Sequence, residues 1–372
     1  MTNPPVPHRS ILGCPTRIAL PTAAIVLLAV ITTSAGPIDP PPGPITPTYK
    51  TLTEVEPRTA INLTNTPGDA DSLFKITQRG SYYLTGNITG VVGKHGIEIT
   101  SGGVTIDLMG FDLSGVPGSL DGIAATVNNL RSITIRNGSV RTWGDVGVDL
   151  RTESVRGGAL LDVRATDNGG GGLAVGSAFS VTRCSAYLNT GDGMQIGFIS
   201  TVSECSSGAN TGNGFWMGDT VTITGCSADG NQQNGISVGN GCVVSGCALR
   251  LNYLDGIRVN ANSTILNNTC INNGFGFAND GAGIHVVFDD SRVEGNNCLD
   301  NDRGIDIDGA GNIIIRNTCA NNTTDWAIVA NNIYGPILDR RIPAAVASTP
   351  AVSGTAAAST LGSTDPNANF SY

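Results

Sequence analysis

The chain has 372 residues, only 5% of them aromatic, and 50 glycines, which excludes a wide core of bulky side chains. Its formal charge of −9 leaves no phosphate-neutralising surface, which excludes a nucleic-acid partner. Lysine is confined to Lys50, Lys75 and Lys94, so cationic chemistry further along the chain rests on arginine or histidine.

Residues 1–35 read as an export signal. His8, Arg9 and Arg17 precede an apolar run from Ile18 to Ile31 and a small-residue exit at Thr33-Ser34-Ala35. The expectation is cleavage near Ala35, a secreted or cell-surface protein, and no membrane span in the mature chain. An uncleaved anchor helix is the alternative, against which stand Pro21 and the shortness of the run. Residues 36–50 are proline-rich and predict an extended, semi-rigid spacer. Residues 51–95, with the strand-like SYYLTGNI, are expected to cap the open N-terminal end of a repeat region.

From residue 96 to about 340 one pattern repeats. A glycine followed by alternating apolar residues occurs as GIEIT at Gly96, GIAAT at Gly122, GVDLR at Gly147, GLAVG at Gly172, GMQIG at Gly193 and GFWMG at Gly214. It continues as GISVG at Gly235, GIRVN at Gly256, GIHVV at Gly283 and GIDID at Gly304, with a degenerate copy at Ala327. Between Gly172 and Gly256 the step is 21 residues four times running. The second and fourth residues are apolar and the third varies, the period-two pattern of a strand with one buried face. Further strands occur in VTIDL, SITIR, VTITG, CVVSG and NIIIR. The fold class predicted is all-β: a single-stranded right-handed parallel β-helix of about ten coils.

Two columns mark the register. Twelve residues after the glycine stand Cys184, Cys205, Cys226 and Cys247, with Cys270, Cys298 and Cys319 read as slightly displaced members. Seventeen after it stand Asn189, Asn210, Asn231, Asn252, Asn273 and Asn321, with Asp300 in the remaining coil. Stacked asparagines can satisfy backbone groups that a corner leaves bare. Rungs about 4.8 Å apart with parallel Cβ vectors do not suit disulfides, so the cysteines are expected to be buried free thiols. A local Cys242–Cys247 pairing stays open, and no spacing suggests zinc. Residues 341–372 form a low-complexity tail expected to be disordered, whose final NANFSY can return to dock.

The rung pattern G-I-x-V followed by V-T-I-x-x-C and N resembles the repeat of the pectate-lyase-like superfamily, especially its carbohydrate-binding and sugar hydrolase type. The resemblance covers residues 80 to about 335 and implies the fold; the superfamily includes lyases, hydrolases, epimerases and non-catalytic surface proteins. Of the polygalacturonase-like motifs, Asn189-Thr190-Gly191-Asp192 echoes N-T-D and Asp289-Asp290 echoes D-D, but G-H-G and R-x-K are missing.

The outward third positions read Glu98, Ala124, Asp149, Ala174, Gln195, Trp216, Ser237, Arg258, His285 and Asp306. Trp216 suits stacking on a sugar ring and Ser237 lies beside it, as substrate-binding candidates. Arg258 suits a uronate carboxylate and His285 a proton transfer, with Asp306 orienting the imidazole. Asp306 and Asp308, alternating with Ile305 and Ile307, form a rival carboxylate pair for glycoside hydrolysis. Asp289, Asp290 and Asp302, with Asp280 and Asp300 nearby, are candidate calcium ligands. The long coil before His285 carries the extra segment GFGFANDGA, 274–282, as a loop beside the same column.

The function expected is binding, with lyase- or epimerase-type processing, of an acidic polysaccharide. The alternatives are a paired-aspartate glycoside hydrolase and a non-catalytic surface or matrix protein, for which the Arg-His-Asp column is only cross-rung charge pairing.

Overall fold

The computed structural model describes residues 55–151, 155–276, 281–339 and 364–372. The expected export signal, the spacer, most of the tail and Asp280 lie outside the described residues.

The described residues build a parallel β-solenoid. One wall is a twelve-stranded sheet running from Ser72–Ile76 and His95–Ile99 to Arg303–Ile307 and Thr324–Ile328. The other walls form one continuous 24-stranded sheet. The twelve rungs exceed the expected ten or so because Ser72–Ile76 adds a coil before Gly96 and Thr324–Ile328 adds one around the degenerate copy at Ala327. Within residues 51–95, Gly80–Tyr83 and Ile88–Thr89 also join the walls, with Tyr82 opposite Ile106 and Ile88 opposite Leu113.

The alternating pattern sets which face is wet. Ile236 and Val238, Ile257 and Val259, and Ile284 and Val286 are all buried, whereas Ser237, Arg258 and His285 between them face out. The register stacks the third positions without a slip: Gln195, Trp216, Ser237, Arg258, His285 and Asp306 are successive partners. The leading glycine is dictated by close approach. A Cβ on Gly235 would lie 2.6 Å from the Gly256 carbonyl oxygen and 2.7 Å from Asn252 Nδ2.

Several corners are built from a residue in the left-handed region followed by one pointing inward. At one corner, Glu204, Gly225, Gly246, Asn267 and Arg316 have φ between 53° and 62° and precede Cys205, Cys226, Cys247, Asn268 and Asn317. At a second, Ala209, Gly230, Leu251, Asp300 and Asn321 precede Asn210, Asn231, Asn252, Asn301 and Asn322. Along this second corner each Nδ2 donates to the next Oδ1, from Asn189 to Asn210 (3.0 Å), Asn210 to Asn231 (2.9 Å) and on to Asn273, Asn301 and Asn322. Asp300 and Asn321 are therefore not ladder members as expected. The coils after Gly283 and Gly304 hold one more residue before this corner, which moves the ladder to Asn301 and Asn322 and leaves Asp300 and Asn321 in the turn.

The cysteines also divide differently. The corner column Cys184, Cys205, Cys226 and Cys247 continues as asparagine, the Cys247 N–H donating to Asn268 Oδ1 at 2.9 Å. Cys270, Cys298 and Cys319 stack instead at a strand centre, opposite Leu249. Cys242 belongs to a third corner, where its N–H donates to Ser263 Oγ. All eight described cysteines are buried and unbridged, and burial pushes the Cys242, Cys270 and Cys319 thiols up.

Candidate functional site

Small residues at outward positions of the twelve-stranded sheet, Ala124 and Ala174, leave hollows between larger neighbours. Four depressions succeed one another along this face. The first, about 500 Å³, is lined by His95, Asp121, Ala124, Thr126, Asp149 and Arg151. The second, about 250 Å³, lies among Asp145, Arg151, Ala174, Asp192 and Gln195. The third, about 350 Å³, holds Arg151, Arg156, Ser177, Gln195, Phe198 and Trp216. The last, about 250 Å³, holds Phe198, Trp216, Asp219, Ser237, Arg258 and Asn260. Shared walls at Arg151, Gln195, Phe198 and Trp216 make them a continuous groove.

Trp216 is 43% exposed and Phe198 52%, an apolar ridge between the last two hollows. Arg151 and Arg156 line one side and Arg258 the other. Among the described residues no carboxylate pairs with Arg156 or Arg258, whereas Arg151 is held by Asp149 and Gln195. Two unpaired guanidiniums flanking an aromatic ridge are suited to sugar rings carrying anionic groups.

His285 lies one rung beyond Arg258. Its Nδ1 is 3.1 Å from Asp255 Oδ2 and its Nε2 is 3.0 Å from Asp308 Oδ2. Asp255 stands at the corner before a leading glycine, at the end of a ladder in which Asn213 donates to Asp192 Oδ1, Asn234 to Asn213 Oδ1 and the Asp255 N–H to Asn234 Oδ1. Its own Oδ1 accepts the Ala282 N–H at 2.8 Å, which aims Oδ2 at the imidazole. Burial works against the charged ring, but the hydrogen bond and charge of Asp255, then Asp308, with the charge of Asp306 behind them, raise its pKa to about 9. At neutral pH the group is an imidazolium.

Asp306 does not orient His285. It is the register neighbour, but it is buried and bound by Arg303 Nη1, so Asp255 and Asp308 take the positions at the two ring nitrogens. The expected outward pair of Asp306 and Asp308 is split the same way, one carboxylate buried and neutralised and the other exposed. His285, Asp306 and Asp308 each offer an atom within 4.8 Å of the others, yet the Arg303 guanidinium already supplies a cation there, and the trio does not fit a metal ion. The calcium candidates are not brought together. Asp289 and Asp290 leave the sheet after Val286, whereas Asp302 enters it before Arg303–Ile307, at the opposite edge. Asp290, with φ 57°, is a corner residue, and Asp289 Oδ1 accepts the Ala310 N–H.

Sequence reasoning missed Asp255, Arg156 and Phe198. For Asp255 a signal existed: Asp192, Asn213, Asn234 and Asp255 precede four leading glycines at the 21-residue step. For Arg156 and Phe198 none existed, because they reach the groove from outside the repeating rung, Arg156 from the start of the neighbouring-wall strand Arg156–Thr166 and Phe198 from the turn after Met194–Ile196.

Fold and register define a parallel β-helix with an open groove along one wall. The model of the right-handed β-helix region family matches residues 121–257 and 214–335, and the chain belongs to that family. No curated protein matches the chain in sequence. Among solved structures it is similar to the A-module of the mannuronan C-5 epimerase AlgE4 of Azotobacter vinelandii, with 18% identity, 70% of this chain and 82% of that one covered, and a TM-score of 0.53. It is also similar to the AlgE6 A-module from the same organism (14% identity, 68% and 89% covered, TM-score 0.46) and to the Agl-KA catalytic domain (13%, 71% and 59%, 0.49). At these identities the likeness is one of fold.

Proposed function

We propose that the protein binds an extended acidic polysaccharide along the twelve-stranded sheet and performs proton transfer on it at His285, as a lyase or epimerase does. The observation that carries the reading is the Phe198–Trp216 ridge with an unpaired arginine in the hollow on either side. A uronate has an acidic C–H beside its carboxylate, and Arg258 neutralises that carboxylate so that the carbanion-like state is stabilised. His285, charged at neutral pH, is the proton donor. Asp308, the exposed carboxylate at its Nε2, is the neighbour that can take the carbon-bound proton. The fold neighbour named as a mannuronan C-5 epimerase is consistent with this class of substrate, while the assignment rests on the residues of this chain. A paired-aspartate hydrolase is disfavoured by the burial of Asp306 under Arg303. The reading also places the protein outside the cytoplasm, on the strength of residues 1–35; a secreted form whose first residue lies near Gly36 checks it.

The test is incubation of the purified protein with a panel of uronate polysaccharides, following ultraviolet absorbance of unsaturated products, inversion at C5, and binding. Activity lost in His285→Ala and binding weakened at least tenfold in Trp216→Ala with Arg258→Gln is the expected result. Folded protein that neither binds nor alters any uronate polymer overturns the reading in favour of a structural or adhesive role.

A further inference from the structure

At the far end of the solenoid the wall strands depart from chain order. Ile333–Tyr334 lies directly on Ile313–Ile315, as earlier coils lie on their predecessors. Continued in that register, Ile337–Asp339 would lie on Asn317–Cys319. Instead Asn369–Ser371 lies between them, parallel to both, with Phe370 opposite Thr318 on one side and Leu338 on the other.

Two residues explain the gap that this strand fills. Register puts Pro336 at the corner position that Asn267, Gly295 and Arg316 occupy with φ of 53°, 69° and 61°, and a proline ring holds φ near −65°. It puts Ile337 at the ladder position of Asn268, Asn296 and Asn317, and isoleucine has no acceptor for the Asn317 N–H. Asn369 supplies one. The Asn317 N–H donates to Asn369 Oδ1 at 2.9 Å, and Asn369 Nδ2 donates to the Ile314 and Gly335 carbonyls at 3.1 Å each. The Asn369 N–H donates to the Pro336 carbonyl at 2.8 Å, and Trp326 Nε1 donates to Ser371 Oγ at 2.8 Å. Asn369 is fully buried, so these bonds form out of water.

Residues 340–368 separate the inserted strand from Ile337–Asp339, a length of chain that spans up to about 100 Å when extended. Because the two strands are parallel, it has to bridge from Asp339 back to Asn369, two residues of rise and one inter-strand step, roughly 8 Å in all. Chain length therefore does not tie the donor strand to its own molecule, and the acceptor is specified by hydrogen bonds that any copy of the segment can make.

We infer that the slot between Thr318–Ala320 and Ile337–Asp339 accepts the segment Asp365–Tyr372 of a second copy of this chain, so that the protein associates by strand exchange. Two dye-labelled populations of the full chain are mixed, warmed below the unfolding midpoint, cooled, and read for energy transfer. Transfer is expected to grow with concentration, to vanish when Asn369→Gly, Phe370→Gly and Ser371→Gly are combined in both populations, and to be competed by the free octapeptide DPNANFSY. The same peptide with Asn369→Ala is expected to compete at least tenfold more weakly. Absence of transfer at every concentration, or transfer that neither the triple substitution nor the octapeptide reduces, overturns the inference.

Discussion

His285 sits between two carboxylates with different duties, and that difference sets its behaviour. Asp255 is fixed by the Ala282 N–H and buried, whereas Asp308 is exposed and its carboxylate is held only at the imidazole Nε2 among the described residues. Because the folded pKa is raised to about 9 from an ordinary value near 6.5, the charged ring stabilises the fold fully below about pH 6.5. That contribution, roughly 2–3 kcal/mol, is lost as pH rises through about 9. Urea denaturation between pH 6 and 10 should show this loss in the unaltered chain and not in His285→Gln. In Asp255→Asn the imidazole pKa falls toward its usual value, so the alkaline limb of any processing activity should move down from about pH 9 toward pH 7.

The repeating element is held by side-chain ladders as much as by apolar burial. Asn322 accepts from Asn301 and donates to the Cys298 carbonyl and Asp325. Asn322→Ala strands those groups in a dry corner and should cost about 2–4 kcal/mol in chemical denaturation. Asn321→Ala, one residue earlier, meets only the strain of a left-handed backbone and should cost about 1 kcal/mol at most. The two measurements together test the register of the last coils. The 21-residue step made most of this ladder readable from sequence. Its last two rungs were misplaced by one residue, because fixed counting from a glycine has no means of seeing that a coil has lengthened.

Over the whole molecule the groove runs from the Ala124 rung to the Arg258 rung, six steps or about 29 Å, with His285 one rung beyond its end. Affinity for uronate oligomers should therefore rise with length and level off once the ligand reaches about that span, which calorimetry on a length series checks. Arg156→Gln and Arg258→Gln should each weaken binding, and the combined variant should flatten its salt dependence, since the net charge of −9 otherwise repels a polyanion.

The sequence by itself determined the parallel coils, the buried and exposed faces of each rung and the column Trp216, Ser237, Arg258 and His285, because a strand alternates with period two and a solenoid repeats with a fixed step. Those are local and periodic facts. Which groups meet across rungs was decided only by tertiary structure: Asp255 and Asp308 on His285 instead of Asp306, Asp302 on the opposite edge from Asp289 and Asp290, and Asn369 filling a gap beside Ile337, far from it in sequence. Such partners are chosen by side-chain reach, by competing cations such as Arg303, and by corners that proline cannot make, none of which a repeat period encodes.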